Sequence, residues 1–216
     1  GQTPGETIGN GRATAILLAR AGAAVVCADR DLDSANETAE MISVEGGCAS
    51  AAELEVSSDQ QHAALVDAIF ETHGRIDILH NNVGASIALG DAVATDMTEE
   101  AFDRSFAVNL KSHWMACKHA IPIMRGQGGG SIVNISSLAV LEAYPYVGYK
   151  TMKTAVIALT QNLASAHADA GVRVRPSTHY HADAGAGLRP STHYHVGAGE
   201  GLRPSTHHHA DAGVRL

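Results

Sequence analysis

The sequence predicts an α/β fold, a parallel sheet wrapped by helices, and three observations carry that expectation. Short apolar runs of strand length alternate with amphipathic helical segments through most of the 216 residues. Several of those helical segments are preceded by residues with capping-box spacing. A glycine-rich loop, residues 5–11, opens the first of them.

The elements follow in order. Beyond Gly5, Gly9 and Gly11, apolar residues recur at helical spacing from Arg12 through Ala13, Ile16, Leu17 and Ala19 to Gly22. Glycines at such a place let the backbone approach a pyrophosphate, and a helix N-terminus supplies N–H groups and a positive dipole end; a flexible N-terminal tail is the alternative. Residues 23–28 are an apolar run of buried-strand length ending in Asp29, Arg30 and Asp31. A carboxylate at that strand end can accept both hydroxyls of a ribose, and Asp29 stands 18 residues beyond Gly11, close to the interval expected between a dinucleotide loop and its ribose-binding acid. Ser34 and Glu37 are spaced as a capping box for a helix that ends at Gly46 and Gly47. A strand at 51–56 follows, then a helix capped by Ser58 and reaching Gly74, then a strand at 76–79 that runs into Asn81, Asn82, Val83 and Gly84. Asp96 and Glu99 are spaced to cap a longer helix bearing Phe102, Phe106, Val108, Leu110, Trp114 and Met115. Asn109 interrupts its apolar face, so that amide is either solvated or put to use. A strand at 131–135 ends at Ser136 and Ser137, and a last helix from about Tyr149 carries Met152, Ala155, Val156, Leu159 and Leu163.

Bulk properties narrow the function. The length suits one domain with a real core, and a net charge of −8 with 4% aromatic residues argues against a nucleic-acid or anionic-membrane binder. No apolar run approaches the ~18 residues of a membrane-spanning helix. Cys27, Cys48 and Cys117 are scattered and odd in number, which reads as reduced thiols in a cytoplasmic protein.

The chemistry gathers near Ser137. Tyr149 and Lys153 are four residues apart on one helical face. An ammonium beside a phenol favours the phenolate, lowering a pKa that starts near ~10 toward the range useful to a proton donor or acceptor.

From Gly5 to Val174 the chain resembles the short-chain dehydrogenase/reductase family, in its classical form. The family's TGxxxGxG loop is matched by Pro4, Gly5, Gly9 and Gly11, with Pro in place of Thr; NNAG by Asn81, Asn82, Val83 and Gly84; the structural Asn by Asn109; the serine strand by Asn134 to Ser137; and YxxxK by Tyr149 to Lys153. The resemblance implies a Rossmann-like, doubly wound sheet and hydride transfer between NAD(H) and a small alcohol or carbonyl substrate. Tyr149 would be the general acid/base, Lys153 would bind the nicotinamide ribose and favour the tyrosinate, Ser137 would hydrogen-bond the substrate oxygen, and Asn109 would hold a water in a proton relay. Ser136 stands thirteen residues before Tyr149, the family's usual interval, and Ser137 twelve; Ser137, second of the pair, is taken as the active serine. Gly5, Gly9 and Gly11 would line the pyrophosphate, Asn82 and Gly84 the adenosine side, and Asp29 the adenosine ribose, where an acid favours NAD over NADP. Arg30 is the residue that could instead receive a 2′-phosphate. Homo-oligomers, dimers or tetramers, are expected through the two long helices.

Two departures shape the remaining expectations. The sequence starts at the glycine loop, so a domain of residues 1–174 without the family's first strand is expected. Residues 175–216 form three 14-residue units beginning Arg-Pro-Ser-Thr-His at Arg175, Arg189 and Arg203, too poor in apolar surface to build a core, and disorder is expected for them. Their histidines can hold a divalent metal loosely, but a site needs further ligands fixed in space, so the expectation is a metal-free tail. A catalytically impaired paralogue that keeps the site residues is the alternative to an active enzyme.

Overall fold

The computed structural model describes residues 8–178. Five strands alternate with six α-helices: α1 Asn10–Arg20, β1 Ala24–Asp29, α2 Leu32–Val44, β2 Cys48–Glu53, α3 Asp59–His73, β3 Ile78–Asn81, α4 Glu99–Phe106, α5 Ser112–Gly126, β4 Gly130–Ile135, α6 Val147–His167 and β5 Val172–Ser177. A π-helical segment, Ala107–Lys111, joins α4 to α5, so the chain is helical without a break from Glu99 to Gly126.

All strand pairs are parallel, as the alternation of strand and helix requires. Among the described residues the strands form two pieces, β1-β2 and β3-β4-β5. Each piece has its own core. Ile16, Ala19, Cys27, Ala35, Ala39 and Ile42 pack where α1 and α2 meet β1. Val66, Ile76, Ala120, Met124, Ile132 and Val172 belong to the second cluster, built from α3, α5, β4 and β5. Burying one such Ile or Met contributes roughly 1.5–3 kcal/mol, so each cluster is a substantial stabilising unit. Between the pieces lies a cavity of about 540 Å³, lined by Val25 and Cys27 of β1, Ile69 of α3, Ile78 and His80 of β3, and Ala120 of α5.

The helix starts differ from the capping-box expectation at two points. Asp31, not Ser34, caps α2: its carboxylate accepts from the N–H groups of Asp33 and Ser34. The chain turns directly after β1, and the first acceptor able to reach those donors takes the role. Thr98, not Asp96, caps α4 by accepting from Ala101 N at 3.2 Å, while the Asp96 carboxylate is engaged by Thr95 Oγ1 at 3.0 Å. The second strand lies three residues earlier than expected, since its register pairs Ala24 with Cys48 and Asp29 with Glu53. β5 runs through Ser177, so it carries the first residues of the repeated segment across the expected boundary at 174; Arg173 and Arg175 are exposed and Val172 and Val174 buried. The rest of the repeats, with their histidines, lie outside the described residues.

Candidate active site

Four residues expected to act on a substrate come from elements that converge at the carboxyl ends of β3 and β4. Two adjacent serines at the end of β4 divide the work. Ser136 is buried; its N–H donates to the Ser177 carbonyl at 2.7 Å and its hydroxyl to the Lys153 carbonyl at 2.8 Å, tying β4 to β5 and α6. Ser137 has extended backbone, accepts from Ala139 N at 3.2 Å where a short 3₁₀ turn begins, and lies near enough to the Tyr149 phenol to pull its pKa down. Of the pair, it is Ser137 that faces Tyr149.

Lys153 is 1% exposed, the largest side chain so deeply buried. Its Nζ donates to the Ile135 carbonyl at 2.9 Å and the Val83 carbonyl at 3.2 Å, and lies 5.9 Å from the centroid of the Tyr149 ring. Burial pushes the Lys153 amine down to about 7. Tyr149 is half-buried, and desolvation raises its phenol above the ordinary 10.0, with the Ser137 hydrogen bond pulling down and Tyr144 adding to the rise. The expected lowering of the phenol by Lys153 is therefore not what this arrangement gives. Both groups are stripped of water, and burial penalises the phenolate and the ammonium alike.

Asn109 lies on the π segment with no exposed surface. Its Oδ1 accepts from Ala85 N at 2.9 Å, and its Nδ2 donates to the Ala85 carbonyl at 2.9 Å and to Ser105 Oγ at 3.1 Å. The side chain thus holds the loop after β3 in place, and the extra residue of the π turn aims it there. Gly84 fits between the two: a Cβ at this position would lie 2.9 Å from Lys153 Cε and Nζ and 3.1 Å from Asn109 Oδ1.

On the expected cofactor side, Gly11, Asp29, Asn82 and Val83 line the same cavity that separates the half-sheets. Gly9 stands at the N-cap of α1, where no side chain caps the helix and no acidic residue occupies the first turn. The N–H groups of a helix start, at a positive dipole end, suit an anionic pyrophosphate, and the Asp29 carboxylate at the end of β1 suits a ribose diol, so these residues fit a dinucleotide. Asp29 accepts from Asp31 N at 3.1 Å. Arg30 is exposed and shares a surface hollow with Asp31, Asp33, Glu53 and Glu55. Gly5 lies outside the described residues.

Several supporting contacts go beyond the roles read from the sequence, which placed Asn81 and Asn134 only as members of motifs. Asn81 Nδ2 donates to Asn134 Oδ1 at 2.8 Å, and Asn134 Nδ2 to Thr160 Oγ1 at 3.0 Å, which pins β3, β4 and α6 together beneath the site. A polar residue inside the apolar run 131–135 was the available signal for Asn134. Asp91 and Ser86, in the loop after β3, carried no such signal. His113 is buried with no hydrogen-bond partner for Nε2 within bonding geometry, and burial pushes its ring down to about 3, although the backbone of Ile135 and Asn81 pulls weakly the other way.

The short-chain dehydrogenase family model matches residues 4–178. The chain is 38% identical over 171 residues to an uncharacterized oxidoreductase of Thermotoga maritima, covering 79% of this chain and 66% of that one. It is 37% identical over 169 residues to a 7alpha-hydroxysteroid dehydrogenase of Clostridium sardiniense, covering 78% and 64%. A solved short chain dehydrogenase from Mycobacterium smegmatis superposes with a TM-score of 0.75 at 32% identity, over 80% of this chain and 72% of that one. A 7 alpha-hydroxysteroid dehydrogenase solved with NADH and 7-oxo glycochenodeoxycholic acid superposes with a TM-score of 0.69 at 32% identity, over 76% and 62%. The chain belongs to the short-chain dehydrogenase family, with its Rossmann-like fold. It spans just under two thirds of the length of the curated relatives named. No helix among the described residues is long and apolar enough to cross a membrane.

Proposed function

We propose that this chain is an oxidoreductase that interconverts an alcohol and a carbonyl compound with NAD(H), using Tyr149 as the proton donor and acceptor. The observation that carries the reading is the Tyr149 phenol, beside the Ser137 side chain and backed by the buried Lys153 amine at 5.9 Å from its ring. When bound, the nicotinamide supplies or accepts the hydride. Ser137 holds the substrate oxygen, on which charge develops in a site poor in water, and Tyr149 gives or takes the proton at that oxygen. Lys153, once a cofactor ribose and its own ionisation are in play, favours the phenolate electrostatically and hydrogen-bonds the ribose. Asn109 keeps the loop of Gly84 and Ala85 at the distance that Lys153 needs, and a water held there would pass the proton on.

NAD rather than NADP is supported by the carboxylates around the end of β1, Asp29 with Asp31, Glu53 and Glu55, which repel a 2′-phosphate and already surround Arg30. The names of relatives, a 7alpha-hydroxysteroid dehydrogenase and a cyclohexanol dehydrogenase, make secondary alcohols on rings the first substrates to try. Exposed Phe102, Phe106 and Trp114 along α4 and α5 support a dimer or tetramer through that face, and three free thiols suit a cytoplasmic setting. The repeats beyond β5 stay part of this reading as a metal-free tail.

A second reading, a catalytically impaired paralogue, is favoured by one observation: the cavity splitting the sheet stands between the core that carries Asp29 and the core beneath Tyr149. Fluorescence titration of the purified chain with NADH separates the two. Saturable binding in the micromolar range with oxidation of cyclohexanol supports the enzyme; no saturation below about millimolar cofactor supports the paralogue.

A further inference from the structure

A buried acid outside the expected constellation grips the start of the helix that carries Tyr149. Asp91 is 7% exposed, and its carboxylate accepts three hydrogen bonds: Gly148 N to Oδ1 at 2.8 Å, Tyr149 N to Oδ2 at 2.9 Å, and Ser86 Oγ to Oδ2 at 2.8 Å. α6 itself offers no cap, since Tyr146 makes no capping bond and the first turn holds no acid. The backbone of Ala92 adds a further bond, accepting from Val147 N at 2.9 Å. Three successive N–H groups, those of residues 147, 148 and 149, are thus fixed by one two-residue segment far away in sequence. Gly148 makes the approach possible, because a Cβ there would lie 2.9 Å from Asp91 Oδ1 and 2.8 Å from Met97 Cε.

The same carboxylate reaches the ring of Tyr149 by a second path. Ser86 Oγ, bonded to Asp91, is 2.7 Å from the Tyr144 hydroxyl, and the Tyr144 ring lies 5.8 Å from the Tyr149 ring, tilted by 49°. Backbone and ring of Tyr149 are therefore both referred to Asp91, the ring through Ser86 and Tyr144. We propose that Asp91 is a positioning residue for the Tyr149 phenol, with Ser86 and Tyr144 as the link to its ring. The proposal rests on the reading of Tyr149 as the proton donor and acceptor. The groups facing that phenol are Ser137, Tyr144 and Lys153, while Lys150, the next residue in the chain, donates to the Glu142 carbonyl at 2.6 Å.

An acid that merely caps a helix would act on the phenol's titration through its charge alone and not through Tyr144, which gives the test. 3-Fluorotyrosine placed at position 149 reports that titration by fluorine NMR, in the full chain and without turnover. In Asp91→Asn the midpoint is expected to move to lower pH, because a nearby negative charge is removed and the loosened ring gains water. Tyr144→Phe, which leaves the cap intact, is expected to move it the same way by less. Turnover with NADH and a cyclic ketone is expected to fall about 10²-fold in Asp91→Asn with little change in the cofactor's KM, the cost of a misplaced reacting group. An unmoved midpoint in Tyr144→Phe overturns the proposal, as does a folded Asp91→Asn whose midpoint matches the parent. A moved midpoint in a chain that turns nothing over leaves the positioning standing and removes the enzymatic reading instead.

Discussion

The Lys153 Nζ lies 5.9 Å from the centroid of the Tyr149 ring and is held by the carbonyl oxygens of Ile135 and Val83 at 2.9 and 3.2 Å. A lysine so placed has acceptors but no anion, and burial alone pushes it to about 7 from 10.5. The sign of the consequence for stability follows directly. Unfolded, the lysine keeps its proton up to about 10.5; folded, it gives the proton up near 7, so above pH 7 the unfolded chain holds more protons and stability rises with pH. The buried thiols of Cys27 and Cys117, raised from 9.0, introduce the opposite slope only above that value. Between pH 7 and about 9 the cofactor-free chain is expected to gain Tm in calorimetry, and Lys153→Met to lose that slope while melting higher at pH 7. A parent Tm that falls over this interval contradicts the burial argument.

The two serines at the end of β4 separate stability from chemistry. Ser136→Ala removes the donor to the Lys153 carbonyl and is expected to cost about 1 kcal/mol in urea unfolding. Ser137→Ala is expected to leave stability within about 0.5 kcal/mol and to lower turnover about 10²-fold, as for loss of one donor to a developing oxyanion. The reverse pattern would transfer the catalytic role to Ser136.

Gly84→Ala sets a methyl group against Lys153 and Asn109 at 2.9 and 3.1 Å. Neither neighbour has slack, since Lys153 is fixed by two carbonyls and Asn109 by Ala85 and Ser105. We expect a loss of about 1–3 kcal/mol in stability together with weaker cofactor binding, measured by unfolding and by NADH titration. A fully stable variant with parental binding would mean that the loop shifts freely.

How much of this was legible in the sequence depends on the range of the interactions involved. Alternating periodicity located four of the five strands and the α-helices of the described chain, with α4 and α5 read as one and β5 unread, and ordered motifs pointed to Ser137, Tyr149, Lys153 and Asn109, because those signals are local or spaced along a single element. Boundaries were missed where a nearer acceptor won the cap, as at Asp31 and Thr98. The direction of the Tyr149 shift was missed because helical spacing gives the distance to Lys153 but says nothing of desolvation. Asp91 was invisible for a related reason: its partners, Gly148 and Tyr149, are brought to it only by tertiary folding.

Cofactor choice is expected to turn on Asp29. Asp29→Ala removes the carboxylate at the end of β1 and the charge that opposes a 2′-phosphate, so binding of NADH should weaken and the NADH-to-NADPH affinity ratio fall about tenfold or more. Parallel fluorescence titrations with the two cofactors measure it. An unchanged ratio would place cofactor discrimination elsewhere.

The most direct test of the central proposal compares the parent chain with Tyr149→Phe, following NADH oxidation in the presence of cyclohexanone or a 7-oxo steroid. The expected result is turnover by the parent and a loss of about 10²–10⁴-fold in the variant, with NADH affinity within about twofold, since only the proton-carrying hydroxyl is removed. A variant as active as the parent, or a parent that binds no NADH below about millimolar, would contradict a Tyr149-centred hydride-transfer site in this chain.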